Sequence, residues 1–119
     1  GSTPMAIAAM QGHRETVELL LYHGAKLESQ DNTGDTPLTL AANGHKDTVE
    51  LLLDCDANIE SQNKDGSTPL AIAAMQGHRE TVELLLYRGA NIESQNKKGN
   101  TPLTLAASNG HRETVELLL

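Results

Sequence analysis

TPLTLAANGHKDTVELLL at residues 36–53 returns as TPLTLAASNGHRETVELLL at residues 101–119. Residues 2–25 and 67–90 make a second such pair, differing only at Met5/Leu70 and His23/Arg88. Thr-Pro stands at Thr3-Pro4, Thr36-Pro37, Thr68-Pro69 and Thr101-Pro102, spaced 33, 32 and 33 residues apart. Gly-His stands at Gly12-His13, Gly44-His45, Gly77-His78 and Gly110-His111, spaced 32, 33 and 33. Thr-Val-Glu-Leu-Leu-Leu recurs at 16–21, 48–53, 81–86 and 114–119. A period of this size marks a repeat architecture. The chain divides into units of approximately 1–33, 34–65, 66–98 and 99–119 with no linker between them, and so forms a single domain. The alternation of unit types is what a tandem duplication or a deliberate design would leave.

Each unit reads as an inner helix, a tight turn, an outer helix and a polar finger. Thr68 is a helix N-cap, its hydroxyl accepting a bond from a first-turn N–H, and Pro69 follows where a missing N–H costs nothing. Leu70, Ile72, Ala73 and Ala74 build a small-residue inner helix that Gly77 ends in a left-handed conformation. The outer helix runs from Arg79 to Tyr87, with Val82, Leu85 and Leu86 on one face, and stops at Gly89. Residues 91–100 form a polar, glycine-containing, β-hairpin-like finger. Two helices this short cannot bury their faces alone. Stacked on neighbours, they build a continuous, one-dimensional core.

The pattern TPLxxAA…GHxxxVxLLLxxGA resembles the ankyrin repeat across the whole chain. The resemblance implies an all-α repeat solenoid of helix-turn-helix units with short β-hairpin-like fingers. One position departs from the family pattern. The histidine that usually follows Thr-Pro-Leu is replaced by Ala6, Thr39, Ala71 and Thr104, which weakens the hydrogen bonding it provides near the turn.

The second unit is one residue short: Gly44 lies eight residues after Thr36, whereas the equivalent separation is nine in the other units. The loss falls between Ala42 and Asn43. In an α-helix it would rotate everything downstream by about 100°. Either the deletion is absorbed in a tightened 3₁₀ end, or a non-standard residue occupies the slot. The intact remainder of the unit favours the second; a normal Ala42–Asn43 peptide bond decides against it. Asp56 replaces the glycine found at Gly24 and Gly89. A left-handed conformation there costs an L-residue about 1–2 kcal/mol, less for Asp, so the second unit is expected to be the softest inner joint.

Composition bounds the chemistry. The 119 residues are 38% hydrophobic but contain no Phe or Trp, and their only tyrosines are Tyr22 and Tyr87. Nine Lys+Arg against sixteen Asp+Glu give a net charge of −7, which opposes non-specific attraction to nucleic acid or anionic membranes. Nucleic-acid binding would also want a basic stripe and stacking aromatics. The lone Cys55 permits no internal disulfide. No apolar run reaches membrane-spanning length, and neither a signal peptide nor a glycosylation sequon is visible. The expectation is an intracellular, cytoplasmic protein.

No catalytic or metal-binding set emerges. His13, His45, His78 and His111 form a column one repeat apart. Packed helices lie roughly 8–10 Å apart, too far for one ion bound at about 2.0–2.1 Å, so these histidines are expected to bond to backbone across repeats. Asp54, Asp56, Asn58 and Asp65 imitate the start of a calcium loop, but Ile59 stands where its glycine belongs. Glu15 with Glu18, and Glu80 with Glu83, recur beside Arg14 and Arg79 as a solvated outer face. Cys55 lacks an activating base. No hydrolase, metalloprotease or nucleotide-binding motif is present, and the expectation is a non-enzymatic chain without cofactors.

The resemblance places recognition on the fingers and on the end of the inner helix, along a concave groove. Carried over by position, the inner-helix set is Met10, Gln11, Asn43, Met75, Gln76, Ser108 and Asn109. The finger set is Asn32, Thr33, Asp35, Lys64, Asp65, Ser67, Lys97, Lys98 and Asn100. The finger charge runs from acidic (Asp31, Asp35) through balanced (Lys64, Asp65) to basic (Lys97, Lys98), a gradient able to orient a partner. The reading is a protein-interaction scaffold binding a protein or peptide. The alternatives are an idealised repeat without a natural partner, or a regulatory module of a larger enzyme or channel. The ends lack polar caps, which suggests either an excerpt from a longer array or end-to-end self-stacking.

Overall fold

The computed structural model describes residues 3–119. Eight helices follow one another: α1 Pro4–Gln11, α2 Arg14–Tyr22, α3 Pro37–Ala41, α4 Lys46–Asp54, α5 Pro69–Met75, α6 Arg79–Tyr87, α7 Pro102–Ser108 and α8 Arg112–Leu118. Among the described residues there is no strand. The odd-numbered helices pack on one another in an inner layer, the even-numbered ones in an outer layer, and each pair packs within its unit. The result is elongated, 40 × 24 × 21 Å.

Each inner helix starts for the same reason. Thr3, Thr36, Thr68 and Thr101 accept at their side-chain oxygens from the N–H of Ala6, Thr39, Ala71 and Thr104, with proline next in line. At Thr39 the departure from the family histidine is made good locally. Its hydroxyl donates to the Thr36 carbonyl at 3.0 Å and accepts from the Thr36 N–H at 2.8 Å, closing a capping box. The expected weakening of the turn therefore does not apply to this unit.

The core is a file of small parts. Val17, Val49 and Val82 and Leu52 and Leu85 are wholly buried, with Ala9, Ala41, Ala73, Ala74 and Ala106 between the layers. Each fully buried leucine or valine is worth about 1.5–3 kcal/mol over an exposed one, and the stacked neighbours complete that burial: Leu20 in the first unit and Val115 in the last stay partly exposed.

The short second unit closes without any additional residue. His13, His78 and His111 donate their N–H to Ala8, Ala73 and Ala106, five residues back, whereas His45 donates to Ala41, four back, at 2.9 Å. All four alanines sit five residues after the capping threonine. The anchoring carbonyl is thus conserved in place and the turn alone is shorter. A 3.4 Å bond from Asn43 to Leu40 tightens the helix end, and Gly44 opens to φ +99 where Gly12, Gly77 and Gly110 lie at 72 to 74. With Ala42 joined directly to Asn43, the tightened helix end and the wider Gly44 turn absorb the missing residue. The 100° misdirection is absorbed too, since His45 still lies against Gly12. What remains is a five-residue α3 and a thinner α3–α5 contact than at α1–α3 or α5–α7.

Candidate functional site: the groove between fingers and inner helices

The fingers are built by side-chain amides and carboxylates that gather backbone N–H groups. Asn63 Oδ1 accepts from Asp65 and Ser67, and Asn96 Oδ1 from Lys98 and Asn100, at 2.9–3.1 Å. Asp31 does the same for Thr33 and Asp35. Burial raises the Asp31 pKa, but bonds from the Thr33 hydroxyl and from the Asp35 and Thr33 N–H groups outweigh it, so the carboxyl ends below its ordinary value. Neighbouring fingers are tied by single backbone bonds, Lys64 N–H to Thr33 O at 3.2 Å and Lys97 N–H to Asp65 O at 2.9 Å. These are linked turns; no hairpin ladder forms.

Below the fingers, carboxylates brace one unit to the next. Glu28 accepts from the Asn58 N–H and Glu60 from the Asn91 N–H, both at 2.7 Å. Arg88 pairs with Asp54 at 3.0 Å between outer-helix ends. The Gly-His column faces the opposite edge. His111 Nε2 lies 2.9 Å from the Met75 carbonyl and His78 Nε2 3.2 Å from Asn43 Oδ1. Among the described residues no three of His, Cys, Asp or Glu converge as a metal site.

Six of the sixteen residues named from sequence meet in one cleft. Asp65 and Ser67 come from the second finger, Lys97, Lys98 and Asn100 from the third, and Met75 from the end of α5. The cleft holds about 300 Å³. Ser67 is only 7% exposed and lies at the finger's foot, while the lysines and Asp65 are exposed. The other ten residues lie outside this cleft. Met10 is half exposed, and Gln11, Gln76, Ser108, Asn32 and Lys64 are exposed. Thr33 and Asp35 bond to each other at 2.6 Å, Thr33 Oγ1 donating. Asn43 and Asn109 are engaged across units, Asn43 by His78 and Asn109 by donating to the Met75 carbonyl at 3.2 Å.

Sequence reasoning missed the floor. Ile72 and Leu105 line the cleft with Asn63 and Asn96. Ile72 does lie on the inner helix α5, and its side chain is not wholly buried there. It is partly exposed, like its equivalents Ile7, Leu40 and Leu105. Together they form an apolar row along the inner layer. The signal was present: Ile7 and Met10, like Ile72 and Met75, are separated by three residues and so share a helix face.

Larger clefts, each about 560 Å³, lie at the N-terminal ends of α6 and α8, lined by Arg79, Glu80 and Glu83 or by Arg112, Glu113 and Glu116. Their walls are charged first-turn residues with no apolar floor. An apolar base with a few convergent polar groups is the arrangement that retains a ligand, which favours the smaller cleft over these two.

No curated protein matches the chain. A family model described as ankyrin repeats (3 copies) matches residues 1–63 and 47–119. Ankyrin repeats are generally protein–protein interaction modules and typically non-enzymatic, and no helix among the described residues is long and apolar enough to cross a membrane. With both stacked layers and the family model spanning its length, the chain belongs to the ankyrin repeat family.

Proposed function

We propose that this chain is a binding scaffold whose protein or peptide partner docks along the inner layer and the fingers. The observation that carries this reading is the row Ile7, Leu40, Ile72 and Leu105, which stacking leaves partly uncovered beneath a polar wall of finger residues. This row recurs in every unit along the inner layer and so offers a partner an apolar surface over several units. The net charge of −7 supports a protein rather than a nucleic acid as that partner. The single exposed thiol at Cys55 suits a reducing, intracellular compartment.

The test is affinity capture with three forms of the chain: unaltered, Met75→Arg in the groove, and Tyr87→Arg on the exposed outer helix. Proteins retained by the first and third but lost by the second support the groove. Equal retention by all three removes it. An idealised repeat without a natural partner predicts no selective capture by any form, and a regulatory module would use the same groove against an adjoining domain.

A second contact is proposed at the first unit, where Leu19 is 57% exposed on α2 while its equivalents Leu51 and Leu84 are buried. In the other units this side of the outer helix meets the preceding neighbour. End-to-end stacking of copies follows, read as concentration-dependent mass in sedimentation. A constant monomer mass that is the same in Leu19→Glu removes it.

A further inference from the structure

We infer that the cleft between the second and third fingers selects a peptide carrying an apolar side chain next to an acidic one. This rests on the groove reading above and adds the partner's chemistry. The apolar side chain would lie on Ile72, Met75 and Leu105, all partly exposed at the cleft floor. The acidic one would meet Lys97 and Lys98.

Three features of the cleft narrow the choice. First, its backbone donors are already taken. The N–H of Lys97 goes to Asp65 O, those of Lys98 and Asn100 to Asn96 Oδ1, and that of Gly99 to Asn96 O. An added strand would find no row of free donors here, so recognition must run through side chains.

Second, Lys97 and Lys98 are exposed and form no ion pair, the pairs among the described residues being Arg79–Glu83 and Arg88–Asp54. Two adjacent cations on one finger, in a chain of net charge −7, make a local basic patch that attracts a carboxylate.

Third, Asp65 stands on the opposite wall of the same cleft. It repels a uniformly anionic polymer such as a phosphodiester backbone, while leaving room for one carboxylate on the lysine side. A volume of about 300 Å³ fits a few side chains and sits at the low end of ligand pockets. A short linear segment matches these limits.

The experiment is selection of random peptides displayed on phage against the intact chain, followed by binding to Lys97→Glu/Lys98→Glu and Met75→Arg. The expected result is enrichment of peptides with an aliphatic or aromatic residue adjacent to Asp or Glu. Binding should be abolished by Met75→Arg and weakened roughly tenfold by the double charge reversal, since attraction becomes repulsion. Replacing the peptide's acid by Lys should restore binding to the reversed variant. Peptides lost on Met75→Arg but lacking an acidic excess, or indifferent to the lysine reversal, overturn this inference and leave the groove reading standing. Peptides indifferent to Met75→Arg, or no enrichment at all, overturn both. Circular dichroism confirms each variant's fold, and Met75→Gln, similar in length, replaces the arginine should that variant not fold.

Discussion

A Cβ placed on Gly77 would lie 2.5 Å from Nδ1 of His111. The glycine of one unit is thus the seat for the imidazole of the next, and Gly12 with His45 and Gly44 with His78 repeat the arrangement. The sequence motif Gly-His is therefore split across a joint: each half serves a different neighbour. Gly77 carries two constraints at once, a φ of +73 and the ring above it, whereas Gly89 at φ +94 has open space around it.

Gly77→Ala should therefore cost more than Gly89→Ala. The left-handed conformation costs an alanine about 1–2 kcal/mol at either site. The ring contact adds about 1–3 kcal/mol of overpacking at Gly77 alone. Urea unfolding of both variants measures the difference. Equal losses would mean the histidine gives way freely.

Asp56 sits at φ +70, the one left-handed non-glycine among the described residues, where Gly24 and Gly89 occupy the equivalent place. Asp56→Gly should raise stability by up to about 1 kcal/mol, the reverse of an ordinary glycine substitution. The urea midpoint reads it, and an unchanged or lower midpoint would show that the aspartate is unstrained.

Thr48 is 1% exposed and its hydroxyl has no hydrogen-bond partner among the described residues. Valine has nearly the same shape without the buried oxygen. Thr48→Val should stabilise by about 1 kcal/mol, the lower end of the cost of an unpaired buried hydroxyl. A thermal melt that moves down instead would place an unseen partner at Thr48.

Burial, then the neighbouring His45 and His111, holds the His78 imidazole below its ordinary pKa. The folded state thus resists a proton that the unfolded chain accepts at about pH 6.5. His78 contributes no penalty above that pH; as pH falls below it toward the folded pKa, stability declines, then levels off. Melting temperature should fall between pH 7.5 and 5, and His78→Gln, which retains an amide donor toward Asn43, should flatten that slope. An identical slope in the variant would assign the effect to other groups.

The repeat, its caps and its layers were legible because each depends on local chemistry. Thr68 and Pro69 start a helix by themselves, and Gly77 ends one. The short turn after Ala42 was not, because whether His45 reaches Ala41 depends on how φ at Gly44 redistributes the loss. The groove was half legible. Finger residues such as Lys97 follow from position in the repeat. Ile72 and Leu105 look like core in a sequence, since only the spacing between layers and fingers decides that one side of them stays open.

The central claim is that stacking leaves the inner layer free and that a partner lands there. The chain's three methionines measure it, because Met5 is buried at 3% exposure, Met10 is 50% exposed and Met75 lies on the cleft floor. Methyl-labelled methionine spectra recorded while adding a display-selected peptide should show Met75 shift first, Met10 follow if the partner extends along the row, and Met5 stay still. A saturated complex in which Met75 and Met10 do not move would contradict the account.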